Sequence, residues 1–136
     1  MNRDIYIALE SDFASIVSIP PTAYEGVKFS KPDTEWCRIT HLPATNLGLT
    51  IGNENMGGYN LHRGIMAIDI FAPTNNGRNK VLQIAELIQT KFKRGHTIVK
   101  NTTKISIENV SILTINQEDY WLMLPLRVDW FSCVST

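Results

Sequence analysis

Trp121-Leu122-Met123-Leu124-Pro125-Leu126-Arg127-Val128-Asp129-Trp130-Phe131 decides the fold. Tyr120, Leu122, Leu124, Leu126, Val128 and Trp130 form one unbroken apolar series, with Trp121, Met123, Pro125, Arg127, Asp129 and Phe131 between them. A period of two means a strand with one face in a core. Pro125 cannot donate to a ladder, so it predicts an edge position or a bulge. The second face holds Trp121, Met123 and Phe131 and is too apolar to stand open to water. It predicts a helix or a partner over it.

A second strand reads from Leu61 to Ala72. Met66, Ile68 and Ile70 face one way, and Ile65, Ala67 and Phe71 the other. With both faces apolar, it belongs in the middle of the sheet, with Asp69 breaking the pattern. Trp36 to Leu42 alternates as a third strand, ended by Pro43. A short extended piece runs from Tyr24 to Phe29, and Lys31-Pro32-Asp33 forms a turn. His96 to Lys100 and Lys104 to Ile115 add two strands around an Asn101-Thr102 turn. The apolar phase changes between Ile105/Ile107 and Val110/Ile112, and a bulge at Glu108-Asn109 restores the facing. Gln117-Glu118-Asp119 is a turn.

Two segments have helical spacing. Ile5, Leu9, Phe13 and Ile16 follow a cap at Asn2, and Pro20-Pro21 stops that helix. Val81, Ile84, Ala85, Ile88 and Phe92 mark a second helix over about Arg78–Lys93, with Gly95 as its C-terminal cap. Leu82 and Leu87 flank its stripe on opposite sides. Either the helix has a broad core face or one leucine meets a neighbouring chain. The sum is an α+β fold: a mixed, mainly antiparallel β-sheet with two α-helices packed on it.

The chain has 136 residues, 43% hydrophobic and 19% charged, with 13 bases balanced by 13 acids. That size predicts a single domain over 1–136. Zero net charge mildly favours a protein that assembles and disfavours a dedicated nucleic-acid binder. No apolar run approaches a membrane span, and the mixed N-terminus is unlike a signal peptide. Cys37 and Cys133 form no CxxC, and the scattered His41, His62 and His96 form no ligand pair, so no metal is expected. The compartment reads as a reducing cytosol with both thiols buried.

No phosphate loop, nucleophile elbow or zinc-protease motif is present, so neither catalytic residues nor cofactors are expected. Cys37 and His41 share a strand face but lie too far apart for direct activation. Charge is more telling. Arg78 to Lys104 holds seven bases and one acid, net +6, and the chain on each side of it is net −3. This is either a solvated helix face or a one-sided basic surface for phosphates or an acidic partner.

The assembled pattern resembles the tail terminator proteins of long, non-contractile-tailed bacteriophages. The resemblance rests on Tyr24-Glu25-Gly26-Val27, on Trp36-Cys37-Arg38-Ile39 through Leu42-Pro43-Ala44, and on Arg63-Gly64-Ile65 through Ile68-Asp69-Ile70-Phe71-Ala72-Pro73 with Gly77. It extends to Phe92-Lys93-Arg94-Gly95 and to Trp121 through Pro125-Leu126-Arg127-Val128-Asp129-Trp130. It implies a non-enzymatic virion protein, present in the host cytoplasm during assembly. Six copies would form a ring that caps the tail tube, stops its polymerisation and meets the head connector, with DNA passing through without being read. The expected partners are a second copy of the chain, the major tail tube protein and head–tail connector or neck proteins, with no membrane. Leu82, Leu87, Trp121 and Phe131 are the candidate subunit contacts. Lys91, Lys93, Arg94 and Lys100 are a candidate lumen or tube-facing patch. Asn53, Asn55, Gly57 and Gly58, in an Asn/Gly-rich stretch at 46–62, are a candidate docking loop. The alternatives are a head-completion or neck adaptor on the head side of the joint, a small cytosolic enzyme using Cys37 or a carboxylate, and a sequence-specific DNA-binding module.

Overall fold

A computed structural model describes residues 2–43, 59–75, 77–101, 103–118 and 120–135. The candidate loop residues Asn53, Asn55, Gly57 and Gly58 lie outside these. In chain order the elements are α1 (Asn2–Ala14), β1 (Thr22–Ala23), β2 (Trp36–Pro43), β3 (Tyr59–Pro73), α2 (Gly77–Lys91), β4 (Thr97–Lys100), β5 (Thr103–Ile112), β6 (Asn116–Glu118) and β7 (Trp121–Ser135). The sheet runs β1-β2-β3-β7-β5-β4, with β6 also on β7. Every pair is antiparallel except β1 with β2. The fold is therefore the α+β arrangement expected, with β3 in the middle.

One face of the sheet carries the core. Ile39, Met66, Ile68, Ile70, Leu124, Leu126, Val128, Ile105 and Ile107 are buried beneath the helices. From α1 come Ile5, Leu9 and Phe13, and from α2 Val81, Ile84, Ala85 and Ile88, with Phe92 just beyond its end. These are the residues that recur at helical spacing, so the stripe and the buried face coincide.

The expected bulge is present: Ile107 pairs with Trp130 and Asn109 with Asp129, leaving Glu108 extra in the ladder. The extra residue turns Val110 to the core side opposite Val128. Without it, Val110 and Ile112 would point away from the helices.

Of the two expectations for Pro125, an edge position or a bulge, the edge is not met, and the ladder beside it is irregular, with residues 113–115 facing 124–125. β7 is internal, between β3 and β5. The proline instead faces a gap in its neighbour, because β5 ends at Ile112 opposite Leu126 and β6 begins at Asn116 opposite Met123. Leu113 N–H donates to Pro125 O at 2.9 Å, so this side of Pro125 faces the interruption. No ladder amide is demanded of it there.

Other boundaries moved. Residues 24–29 form no strand; only Thr22–Ala23 pairs, and Val27 N–H closes a turn onto Tyr24 O. Asn116–Glu118 is a strand, not part of a turn. Tyr120 stands before β7 and is 80% exposed instead of continuing its apolar face. α1 ends at Ala14, well before the prolines, where Ser15 Oγ donates to Asp12 O at 2.6 Å and Ser18 takes a left-handed φ of 69°. Gly95 does not cap α2. With a φ of 89° it is the third residue of a turn closed by His96 N–H to Lys93 O at 2.8 Å, which suits a glycine. That turn sends the chain from α2 into β4.

Candidate functional site

The helices cover only one face of the sheet. The other is crossed at one end by the segment between β1 and β2 and shows side chains in cross-strand rows. Trp36, Phe71 and Met123 are directly opposed on β2, β3 and β7. Trp36 and Phe71 stack at 4.1 Å, and Phe29 reaches Trp36 at 5.6 Å. Lys31 Nζ stands 4.3 Å from the Trp121 ring centroid and 6.0 Å from that of Trp36. A cation held between two indoles gains from both ring faces. The next row holds Arg38 and Asp69, which explains the acid that breaks the pattern of β3. Arg38 Nη2 meets Asp69 Oδ2 at 2.8 Å, with the guanidinium 5.2 Å from the Phe71 ring.

Further along this face Arg63 meets Glu108 at 3.6 Å, and Asp129 follows. Partial burial and the Glu108 charge raise the Asp129 carboxyl above its usual range, against the pull of Arg127. The face thus has an aromatic end and a charged end.

The four candidate contact residues do not share a surface. Trp121 and Phe131 are on the helix-free face, but ten residues of strand put them about 33 Å apart. Trp121 belongs to the aromatic end, whereas Phe131 lies opposite Arg63 and Ser106. Leu82 and Leu87 are on α2, beyond the sheet, 37% and 38% exposed. Leu87 lines a groove of about 850 Å³ with Ile16, Val17, Lys91 and His96. Leu82 is on the other flank of the helix.

Nor do all the bases stay free. Lys80 meets Glu35 at 2.6 Å, and this contact lowers the Glu35 carboxyl below its usual range. Lys91 is 3.7 Å from Asp12. Lys93, Arg94 and Lys100 make no ion pair among the described residues. Lys93 and Arg94 stand in the turn before β4, and Lys100 at its far end. The bases are therefore drawn out along the β4 edge of the sheet.

His41 and His96 fasten α1. His41 is buried, stacks on Tyr6 at 4.1 Å and meets Glu10 with Nε2 at 2.7 Å. Its backbone N–H donates to Glu25 Oε1 at 2.7 Å. His96 Nε2 meets Asp12 Oδ2 at 2.9 Å. Glu10 and Asp12 thus tie one helix to β2 and to the start of β4. Sequence spacing gave no sign of these pairs, because the partners are 31 and 84 residues apart.

Cys37 shares the buried face of β2 with His41. Burial, helped by the Asp69 charge, pushes its thiol up to about 12 from 9.0. At pH 8 its thiolate fraction is about a thousandfold below that of an unperturbed thiol. In a Cys133→Ser background the native protein is expected to leave a disulfide reagent unreacted at pH 8 and to react fully once unfolded. Fast native labelling contradicts the burial. The unfolded chain loses this proton near pH 9 and the folded chain only near 12. The stabilisation is therefore complete below pH 9 and declines as pH rises toward 12.

Among the described residues no group of three His, Cys, Asp or Glu could hold a metal, and no helix is long and apolar enough to cross a membrane. Two helices on one face of a sheet, with the other face bearing packed aromatics and ion pairs, describe a surface built for contact. The chain belongs to the phage tail terminator protein family, whose model matches residues 4–130. It is thus a structural protein of the phage tail. A solved structure superposes on it with a TM-score of 0.77, over 97% of this chain and 95% of its own, at 19% identity, and shares the fold. No curated protein matches the chain.

Proposed function

We propose that residues 1–136 act as one domain that assembles with further copies, six in all, into a ring closing the tail tube. The ring stops addition of major tail tube protein and offers its other side to the head–tail connector or neck proteins. DNA passes through the opening without sequence readout, and no covalent chemistry is involved. The protein joins the virion where tail meets head, after accumulating in the host cytoplasm.

The observation that carries this reading is the helix-free face with its cluster of Phe29, Trp36, Phe71 and Trp121. Aromatic and Arg-rich patches supply the anchors of protein interfaces. Leu87 and the groove beside it give a second contact on the helix side, which a head-to-tail ring requires because it joins two different surfaces of each copy. Trp121, Phe131 and Leu82 are further candidate contacts. Lys93, Arg94 and Lys100, with Lys91 beside them, are candidates for the lumen or tube-facing side.

Electron microscopy of the purified protein, alone and with tail tubes, tests the reading. Annular particles or capped tubes of fixed length are expected. Leu87→Glu is expected to weaken assembly at least about tenfold while shifting monomer stability by no more than about 0.5 kcal/mol, since the side chain is partly exposed. A protein that stays monomeric both at high concentration and on tubes contradicts the ring.

A further inference from the structure

β4 is the last strand of the sheet, and among the described residues no further strand pairs with it. It is only four residues long, yet open. Ile107 N–H donates to His96 O at 2.9 Å, and the register carries that phase forward through Ile98 opposite Ile105. Alternate residues of β4 therefore bond to β5, which leaves the N–H and C=O of Thr97 and Val99 pointing outward. Val99 is 66% exposed.

Two features distinguish this edge from an ordinary unpaired one. A groove of about 290 Å³ runs beside it, between Ala8, Ser11 and Ser15 of α1 and Ile98 and Lys100 of β4. Asp12 also borders it but is already engaged by His96 and Lys91. The groove has room for small side chains of a strand laid against β4. The edge is also framed by cations that form no ion pair among the described residues: Lys93 and Arg94 before β4, Lys100 at its end, and Lys104 opposite Val99.

Lysines at an edge deter indiscriminate pairing between strands. The same charges select a strand that carries carboxylates. The geometry points to β4 as a strand-addition site for an extended, acid-bearing polypeptide segment, in which small apolar residues enter the α1 groove and alternate residues, on the opposite face, present carboxylates to Arg94 and Lys104, with Lys93 and Lys100 adding positive charge at the two ends of the strand. Main-chain bonds to Thr97 and Val99 supply affinity, and the alternating side chains supply selection. This inference concerns the isolated subunit and does not depend on ring closure.

The probe is a synthetic peptide of alternating Val and Glu, about as long as an ordinary strand, added to the full chain labelled for NMR. The amides of Thr97 and Val99 are expected to exchange freely without peptide and at least about tenfold more slowly with it. A Val/Lys peptide is expected not to bind, nor is a Val/Glu peptide with alternate backbone N-methyl groups. Raising salt from about 50 to about 300 mM should weaken binding several-fold, because the frame is exposed. Arg94→Glu with Lys104→Glu should lose the acidic peptide and gain the Val/Lys one. Binding that leaves the two amides unprotected overturns the inference, as does equal binding of the two peptides or no binding. Protection that grows with protein concentration in the absence of peptide also overturns it, because the edge then belongs to a second copy.

Discussion

Gly64→Ala is expected to lower the free energy of unfolding by about 2 kcal/mol, the middle of the range for overpacking a tight core. A Cβ at position 64 would meet Trp130 Cζ2 at 2.3 Å and Cε2 at 2.7 Å. Gly64 and Trp130 are directly opposed on β3 and β7, and the indole lies across the glycine with 3% of its surface exposed. A planar indole cannot yield at one atom; the whole ring must rotate into Ile107's side of the core or the strands must part. Gly64 has no positive φ, so alanine suits the backbone itself and restricts the unfolded chain, a gain of about 0.4–1 kcal/mol. Any net loss is thus steric. For a chain of 136 residues the melting point should fall by about 7 °C. Trp130→Leu should cost stability alone, through a cavity, yet reduce the penalty of Gly64→Ala in the double variant. An unchanged or raised melting point for Gly64→Ala would mean that the close approach of ring and backbone is absent.

That contact also marks what a sequence can reveal. Trp130 was legible as a core residue from the alternation of β7, and Gly64 stood in a stretch read as strand. Nothing in either segment says that one faces the other, because register is a relation between strands 66 residues apart, by the numbering of the pair. Local signals were read well: the helical stripes, the strand alternation and the phase change at Glu108-Asn109 each depend on residues a few positions apart. Pro125 was legible only as an edge or a bulge. Its missing N–H is local, but the gap that accommodates it belongs to the neighbouring β5 and β6. Tyr120 continued a periodic series that the turn before β7 cuts off. The candidate site divides the same way. Surplus apolar residues on α2 and β7 could be identified singly, but their separation onto opposite sides of the sheet could not. Lys31 and Phe29, central to the aromatic cluster, are ordinary loop residues until the chain folds them over Trp36 and Trp121.

Phe13→Ala is expected to cost about 3–5 kcal/mol, as large-to-small changes at buried phenylalanines do. Phe13 has no exposed surface and stands in the last turn of α1, below Leu9 and Ile5. A helix of 13 residues is marginal by itself, so α1 persists because its apolar stripe is docked. The polar ties from Glu10 to His41 and from Asp12 to His96 orient the helix, but both carboxylates are partly open to water and cannot replace the lost packing. Truncating Phe13 also opens a void beside the wall that α1 lends to the β4 groove. Amides in α1 should therefore lose exchange protection at lower free energy than those of β3 and β7, and the His41–Tyr6 stack should loosen with them. Val17→Ala, at a site 81% exposed, should leave both stability and exchange nearly unchanged. If Phe13→Ala instead lowers protection equally in α1 and in the central strands, the helix is not a separately docked unit but part of the cooperative core.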